Sequence, residues 1–230
     1  MNKVILKISG EALKEGNNNV SEEKLQIVLN IIKLLQKRQK LIGIVIGGGN
    51  FFRGREHPLM DEVTRDTIGM LGTVMNALYL KDYLLQYHID SVVSTPFDFP
   101  GLIKKYDNNE LNDAMFQGKV IIFGGGVGKS GYSTDSGVIL ARDILYADTI
   151  IKLTNVDGIY ESDPKTNLNA IKYDKLTYKE VLDKDLKVMD RYAFEKLMEK
   201  KTKLLVMNFE KYDDLNKYFD GLQVGTIIEE

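Results

Sequence analysis

Cysteine is absent from the 230-residue sequence, and histidine occurs only at His57 and His88. The first absence excludes a disulfide framework, a thiolate nucleophile and any cysteine-based metal site. The second argues against a histidine metal cluster or a Ser-His-Asp triad. His88, between a helix-like and a strand-like run, reads as a structural or surface residue. A surplus of charge is lacking as well: 31 basic and 33 acidic side chains leave a net charge of −2. Nothing global therefore points to nucleic acid or to a membrane surface as partner. No apolar run approaches the roughly 20 residues that span a bilayer. The N-terminus opens directly on a strand pattern, without the charged and apolar regions of a secretion signal. The expectation is a soluble, cytoplasmic protein. Its length and 43% apolar content suit one α/β domain over residues 1–230.

What the sequence does have is three glycine-rich turns, each following an apolar, β-branched run. Val4–Ile8 leads into Ser9-Gly10-Glu11, Ile42–Ile46 into Gly47-Gly48-Gly49-Asn50, and Val120–Phe123 into the glycines from Gly124 to Gly128. Glycine lets a ligand approach the main chain closely, and a turn between strand and helix aims backbone N–H groups at anions. Three such turns in one domain suggest a phosphate-rich site built from several strand ends, with more than one phosphorylated ligand.

Strand and helix patterns alternate along the chain. Leu25, Val28, Leu29, Ile32 and Leu35 recur at helical spacing after Ser21, a candidate N-cap. A long helix is expected from about Asp61 to Tyr87, with Ile68, Leu71, Met75, Leu78 and Leu85 as its buried stripe. Further helices are expected over 108–117, 136–146, 191–200 and near 213–219, and strands over 89–94, 149–153 and 226–228. Nearly continuous apolar strands alternating with helices imply a three-layer αβα sandwich around a largely parallel sheet. Ligands then sit beyond the carboxyl ends of the strands, where the glycine turns lie.

Two tempting motifs fail. Gly128-Lys129-Ser130 resembles the end of a P-loop, but no glycine stands five residues before Gly128, and no helix opens at the lysine. Gly47-Gly48-Gly49-Asn50-Phe51-Phe52 does not complete a dinucleotide fingerprint, because position 52 is Phe. The remaining candidates suit phosphoryl transfer, which needs positive charge, backbone donors and positioning rather than covalent chemistry. Lys7, Ser9 and Gly10 end the first strand, Arg53 follows the second turn, and Lys152 and Thr154 close another strand. Asp135 and Asp163 are read as loop carboxylates, and so is Asp190 if the segment from Lys187 to Asp190 is a turn. Singly, each reads as readily as a solvent-facing charge or a turn residue; their shared sheet edge raises the functional reading.

Several of these segments together resemble a known family. Lys7-Ile8-Ser9-Gly10-Glu11-Ala12-Leu13, Gly47–Gly54, Gly69-Met70-Leu71-Gly72-Thr73-Val74-Met75-Asn76, Thr134-Asp135-Ser136 and Lys187–Asp190 are similar, in order and spacing, to bacterial uridylate (UMP) kinases of the amino acid kinase superfamily. The resemblance runs from Lys3 to Glu229. It implies the amino acid kinase fold and transfer of the γ-phosphate of ATP to UMP, with Mg²⁺ accompanying ATP and no resident metal ligand set. It implies that Lys7, Ile8, Ser9, Gly10, Gly49 and Arg53 bind ATP phosphates, and that Thr154, Tyr160 and Asp163 bind its adenosine. Gly48, Asp66, Val127, Gly128, Lys129, Ser130, Gly131, Tyr132, Ser133 and Thr134 would hold UMP, with Asp66 on the ribose. Lys7, Arg53, Asp135, Lys152 and Asp190 would be catalytic. Of these, Asp135 would organise the site, and Lys152 is chosen on position and charge.

The resemblance also implies a homohexamer, in which Phe51, Met70, Met75 and Tyr79 belong either to an interface or to the protomer core. Relatives are activated by GTP at a basic inter-subunit site; here the matching positions hold Lys81, Leu85 and Val92, so weak or absent activation is expected. Two other readings stay open: a kinase of the same fold acting on a carboxylate or carbamate, and a nucleotide-sensing subunit without turnover.

Overall fold

The computed structural model describes residues 2–230. In chain order the main elements are β1 (Lys3–Ile8), α1 (Glu22–Lys37), β2 (Leu41–Ile46), α2 (Glu62–Gln86), β3 (Ser91–Ser94), α3 (Asn108–Phe116), β4 (Val120–Phe123), α4 (Thr134–Leu145) and β5 (Thr149–Thr154). There follow β6 (Ile159–Tyr160), β7 (Lys172–Tyr173), β8 (Lys175–Leu176), α5 (Tyr178–Asp183), α6 (Arg191–Glu199), β9 (Lys203–Asn208), α7 (Asp214–Phe219) and β10 (Thr226–Ile228). Eight strands form one sheet in the order β3-β4-β2-β1-β5-β9-β10-β8, parallel except for the antiparallel β9–β10 pair. The short β6 and β7 make a separate antiparallel ribbon that no sequence pattern announces, since two-residue strands carry no period.

Alternation along the central strands divides the core. Val4, Leu6 and Ile8 join Ile42, Ile44 and Ile46 under α1, α2 and α7, while Ile5, Val45 and Ile150 face α4 and α6. Lys7 therefore shares the α4–α6 face with Ile5, and Lys152 shares it with Ile150. In register, Lys7 lies directly opposite Lys152 on the neighbouring strand. The five α1 positions chosen by periodicity are all buried. Ser21 does stand at the N-cap of α1, but its hydroxyl donates to Glu15 Oε2 at 2.6 Å instead of accepting from the helix.

Two sequence expectations need correction. The buried stripe of α2 is Val74, Ala77, Leu80, Tyr83 and Leu84, with the small polar Thr73 and Asn76. Ile68 is only half-buried, and Leu71, Met75, Leu78 and Leu85 face outward, 38–60% exposed. The helix has apolar residues on two faces, and the spacing fits either. The second correction concerns α4, which begins at Thr134 with Ser133 as its cap, its hydroxyl accepting from Asp135 N–H at 2.9 Å. Asp135 is thus the second residue of a helix and not a loop carboxylate. The partial positive charge of a helix N-terminus favours an anion there.

Candidate active site

The chain leaves β1 for β2 on one side and later returns to β5 on the other, so the carboxyl end of β1 is a topological switch point. The three glycine turns follow β1, β2 and β4, three adjacent strands, and gather on one side of this point. Their packing explains the residues. A Cβ on Gly10 would sit 2.4 Å from Asn50 Oδ1 and 2.7 Å from both Gly47 O and Gly49 N, so the first turn can nest in the second only as glycine. A Cβ on Gly48 would lie 2.5 Å from the Gly69 carbonyl of α2. Buried amides lock the arrangement. Asn50 and Asn76 exchange hydrogen bonds of 2.9 and 2.7 Å, and Asn76 also donates to Gly47 O at 2.7 Å. Thr73 Oγ1 accepts from Gly125 N–H at 2.6 Å, tying the third turn to α2. The sequence alone gives none of Asn50, Thr73 and Asn76 a structural role; for Thr73 and Asn76 the available signal was a polar residue in an apolar helical run.

At the switch point Lys7 Nζ is 3.1 Å from Asp135 Oδ1, and Lys152 Nζ is 3.8 Å from Asp135 Oδ2; all three side chains are 13–14% exposed. Opposed lysines on adjacent strands repel, and Asp135 on α4 supplies the compensating charge. Lys7 approaches Oδ1 off the hydrogen-bonding direction, which leaves this oxygen ion-paired yet without an aligned donor. Burial acts to raise the Asp135 carboxyl, but the pull of Lys152 and Lys7 prevails and holds it below the usual range. Burial, reinforced by repulsion from Lys7, pushes Lys152 down to about 8 despite Asp135 and Asp190. Lys152 also donates to the Val188 carbonyl. Asp190 caps α6: it accepts from Ala193 N–H at 2.8 Å and from the Ser133 hydroxyl, while its own N–H donates to Asp135 Oδ2 at 3.2 Å. Its carboxylate is thus occupied in holding α6, Ser133 and Asp135 together.

Two cavities flank this cluster. One, about 260 Å³, is lined by Gly48, Gly49, Phe52, Gly54, Arg65, Asp66, Gly126, Val127, Tyr132, Ser133 and Thr134, among others. The other, about 550 Å³, runs along the β5 exit and takes in Lys152, Thr154, Tyr160, Asp163 and Lys187. The expected residues therefore separate. Thr154, Tyr160 and Asp163 meet in the second cavity, where Asp163 also forms a turn by accepting from Lys165 N–H at 2.9 Å. Gly48, Asp66, Val127, Tyr132, Ser133 and Thr134 meet in the first. Gly128, Lys129, Ser130 and Gly131 fall outside its lining, with Lys129 exposed. Asp66 reaches that loop nonetheless, accepting from Ser130 Oγ and Gly131 N–H at 2.7 Å each, and these two bonds hold its carboxyl low. Ile8 buries its side chain completely and offers its carbonyl to Gly47 N–H, so only its main chain is near the site. Arg53 is paired with Glu11 through Nε at 2.8 Å and with Glu56 at 3.8 Å. Size does not mark the site: a hollow of about 730 Å³, larger than either, lies at the opposite ends of the strands near Asn2 and Thr149. Its Lys201 and Lys203 are tied to Glu230 and Glu229.

This architecture has known counterparts. Residues 2–208 match the model of the amino acid kinase family. The chain belongs to that family. Within it, the chain is 39% identical to a uridylate kinase of Thermosipho melanesiensis, over 98% of this chain and 97% of that protein. It is 37% identical to one of Vibrio campbellii, over 98% and 94%. The crystal structure of UMP kinase from Bacillus anthracis superposes with a TM-score of 0.94 at 32% identity, covering 99% of this chain and 96% of its own. These full-length likenesses place the chain among the uridylate kinases of the family.

Proposed function

We propose that this family member transfers the γ-phosphate of ATP to UMP, giving UDP and ADP for pyrimidine nucleotide synthesis. The observation that carries this reading is the Lys7–Asp135–Lys152 cluster standing between two cavities. ATP occupies the larger cavity beside Thr154, Tyr160 and Asp163, and its phosphates reach over Ser9, Gly10 and Gly49. UMP occupies the smaller cavity, its ribose near Asp66. The attacking group is a phosphate oxygen, and a phosphate monoester is largely dianionic at pH 7. No general base is needed, which accords with an Asp135 already committed to two ammonium groups. Lys7 and Lys152 stabilise charge on the phosphoryl group in transit, and Asp135 and Asp190 position them.

Mg²⁺ accompanies the nucleotide in this reading. Among the described residues no three potential ligand side chains converge as a resident site, and such ions are commonly held by substrate phosphates with one or two carboxylates. Asp135, with its unaligned Oδ1, is the carboxylate that fits this role. The ion neutralises phosphate charge when bound.

The protein is read as one folding unit and as a cytoplasmic homohexamer, supported by the outward apolar stripe of α2, where Met75 and Tyr79 are 46% and 54% exposed. Phe51 and Met70 are half-buried and contribute at the margin of that face. Lys81, Leu85 and Val92 line a shallow cleft together with Lys119; with an apolar residue at two of the three expected positions, GTP activates weakly or not at all. The deciding experiment offers UMP, CMP, aspartate and carbamate as acceptors with ATP and Mg²⁺, reading ADP release. Turnover confined to pyrimidine monophosphates supports the reading; turnover on a carboxylate or carbamate, or none on any acceptor, overturns it.

A further inference from the structure

The acceptor cavity has one cationic lining residue, Arg65, and one anionic one, Asp66. They are neighbours on the first turns of α2, where successive side chains diverge by about 100°. Asp66 points to the third glycine loop through Ser130 and Gly131. Arg65 lies near enough to help lower the Asp66 carboxyl, but makes no ion pair with it. Its stem packs over Gly54, within 3.6 Å of where a Cβ of that glycine would stand, beside the second glycine turn. The two arginines of this region differ in their commitments. Arg53 is held by Glu11 and Glu56, whereas Arg65 has no ion-pair partner among the described residues and is half-buried at the cavity wall.

We infer that Arg65 binds the phosphate of the nucleoside monophosphate acceptor, seating it against the second glycine turn while Asp66 orients the sugar. This rests on the reading of the small cavity as the UMP site. A guanidinium offers paired donors in a fixed fork that matches phosphate oxygens, and a cation that makes no ion pair breaks none on binding. The residue acts on acceptor binding and orientation; the transferring group is left to Lys7 and Lys152.

The test compares UMP with uridine, which lacks the phosphate, by calorimetric titration of the full chain. Wild type is expected to bind UMP more tightly than uridine. Arg65→Gln should weaken UMP about ten- to a hundredfold, leave uridine within twofold, and raise KM for UMP while KM for ATP holds. Arg65→Lys, which keeps the charge without the fork, should fall between. Equal weakening of both ligands in Arg65→Gln would reduce the residue to packing over Gly54 and overturn the inference, as would unchanged UMP affinity. The unfolding midpoints of both variants are measured alongside, and Arg65→Lys serves alone if Arg65→Gln does not fold. A wild-type chain that fails to bind UMP would instead overturn the acceptor assignment itself, and the phosphate clamp with it.

Discussion

Lys152 holds its ammonium where burial and Lys7 both oppose it, so its charge depends on pH near the physiological range. If the protonated form stabilises the transferring phosphoryl group, kcat should fall as pH rises through about 8. Lys152→Arg, charged far beyond that range, should abolish this alkaline limb at a reduced plateau; the check is a pH profile of kcat at saturating ATP and UMP. The stability sign is the reverse. The folded chain releases this proton near pH 8, and an unperturbed lysine keeps it to 10.5. Within that window the unfolded state binds more protons, so Lys152's cost to folding is largest below pH 8 and fades as pH rises to 10.5. A second residue-scale case is Asn76, fully buried within a reciprocal amide pair. Asn76→Ala strands the Asn50 side-chain oxygen and the Gly47 carbonyl, and should cost about 2–3 kcal/mol in urea unfolding. It should also raise KM for both nucleotides, because the second glycine turn loses its anchor.

Among the elements, α2 does the most. Its N-terminal turns present Arg65 and Asp66, its middle buttresses Gly48 and Gly125, and its outer face is apolar. Spacing located the helix within a residue at each end but chose the outward stripe as the core. Leu71, Met75, Leu78 and Leu85 repeat as regularly as Val74, Ala77, Leu80 and Leu84, and a surface buried only on assembly carries the same period. If the proposed homohexamer forms through this face, paired charges at Met75→Glu and Tyr79→Glu should split it into smaller particles by sedimentation velocity. The protomer should still unfold cooperatively, since both side chains are about half exposed within it. Helix α4 teaches a related lesson. The turn run from Gly128 to Ser133 hid its start, so Asp135 looked like a loop residue, whereas its place in the first helical turn is what sets its charge against Lys7 and Lys152.

For the molecule as a whole, two consequences follow from one sheet flanked by two cores. Heat or urea should give a single transition, coincident by circular dichroism and tyrosine fluorescence; two resolved transitions would contradict one folding unit. Addition of GTP at subsaturating ATP should raise the rate less than twofold, and strong stimulation would contradict the reading of the Lys81–Val92 cleft. The sequence by itself determined the parallel αβα plan, the three glycine turns, and Lys7, Arg53 and Lys152 at strand exits, because strand period and turn chemistry are local properties; Asp66 entered only through the family resemblance. The opposition of Lys7 to Lys152, the pairing of Arg53 and the lack of an ion pair at Arg65 were decided only by tertiary structure. Each depends on strand order and register across 40 to 150 residues of chain, and no local pattern encodes which distant carboxylate a cation meets.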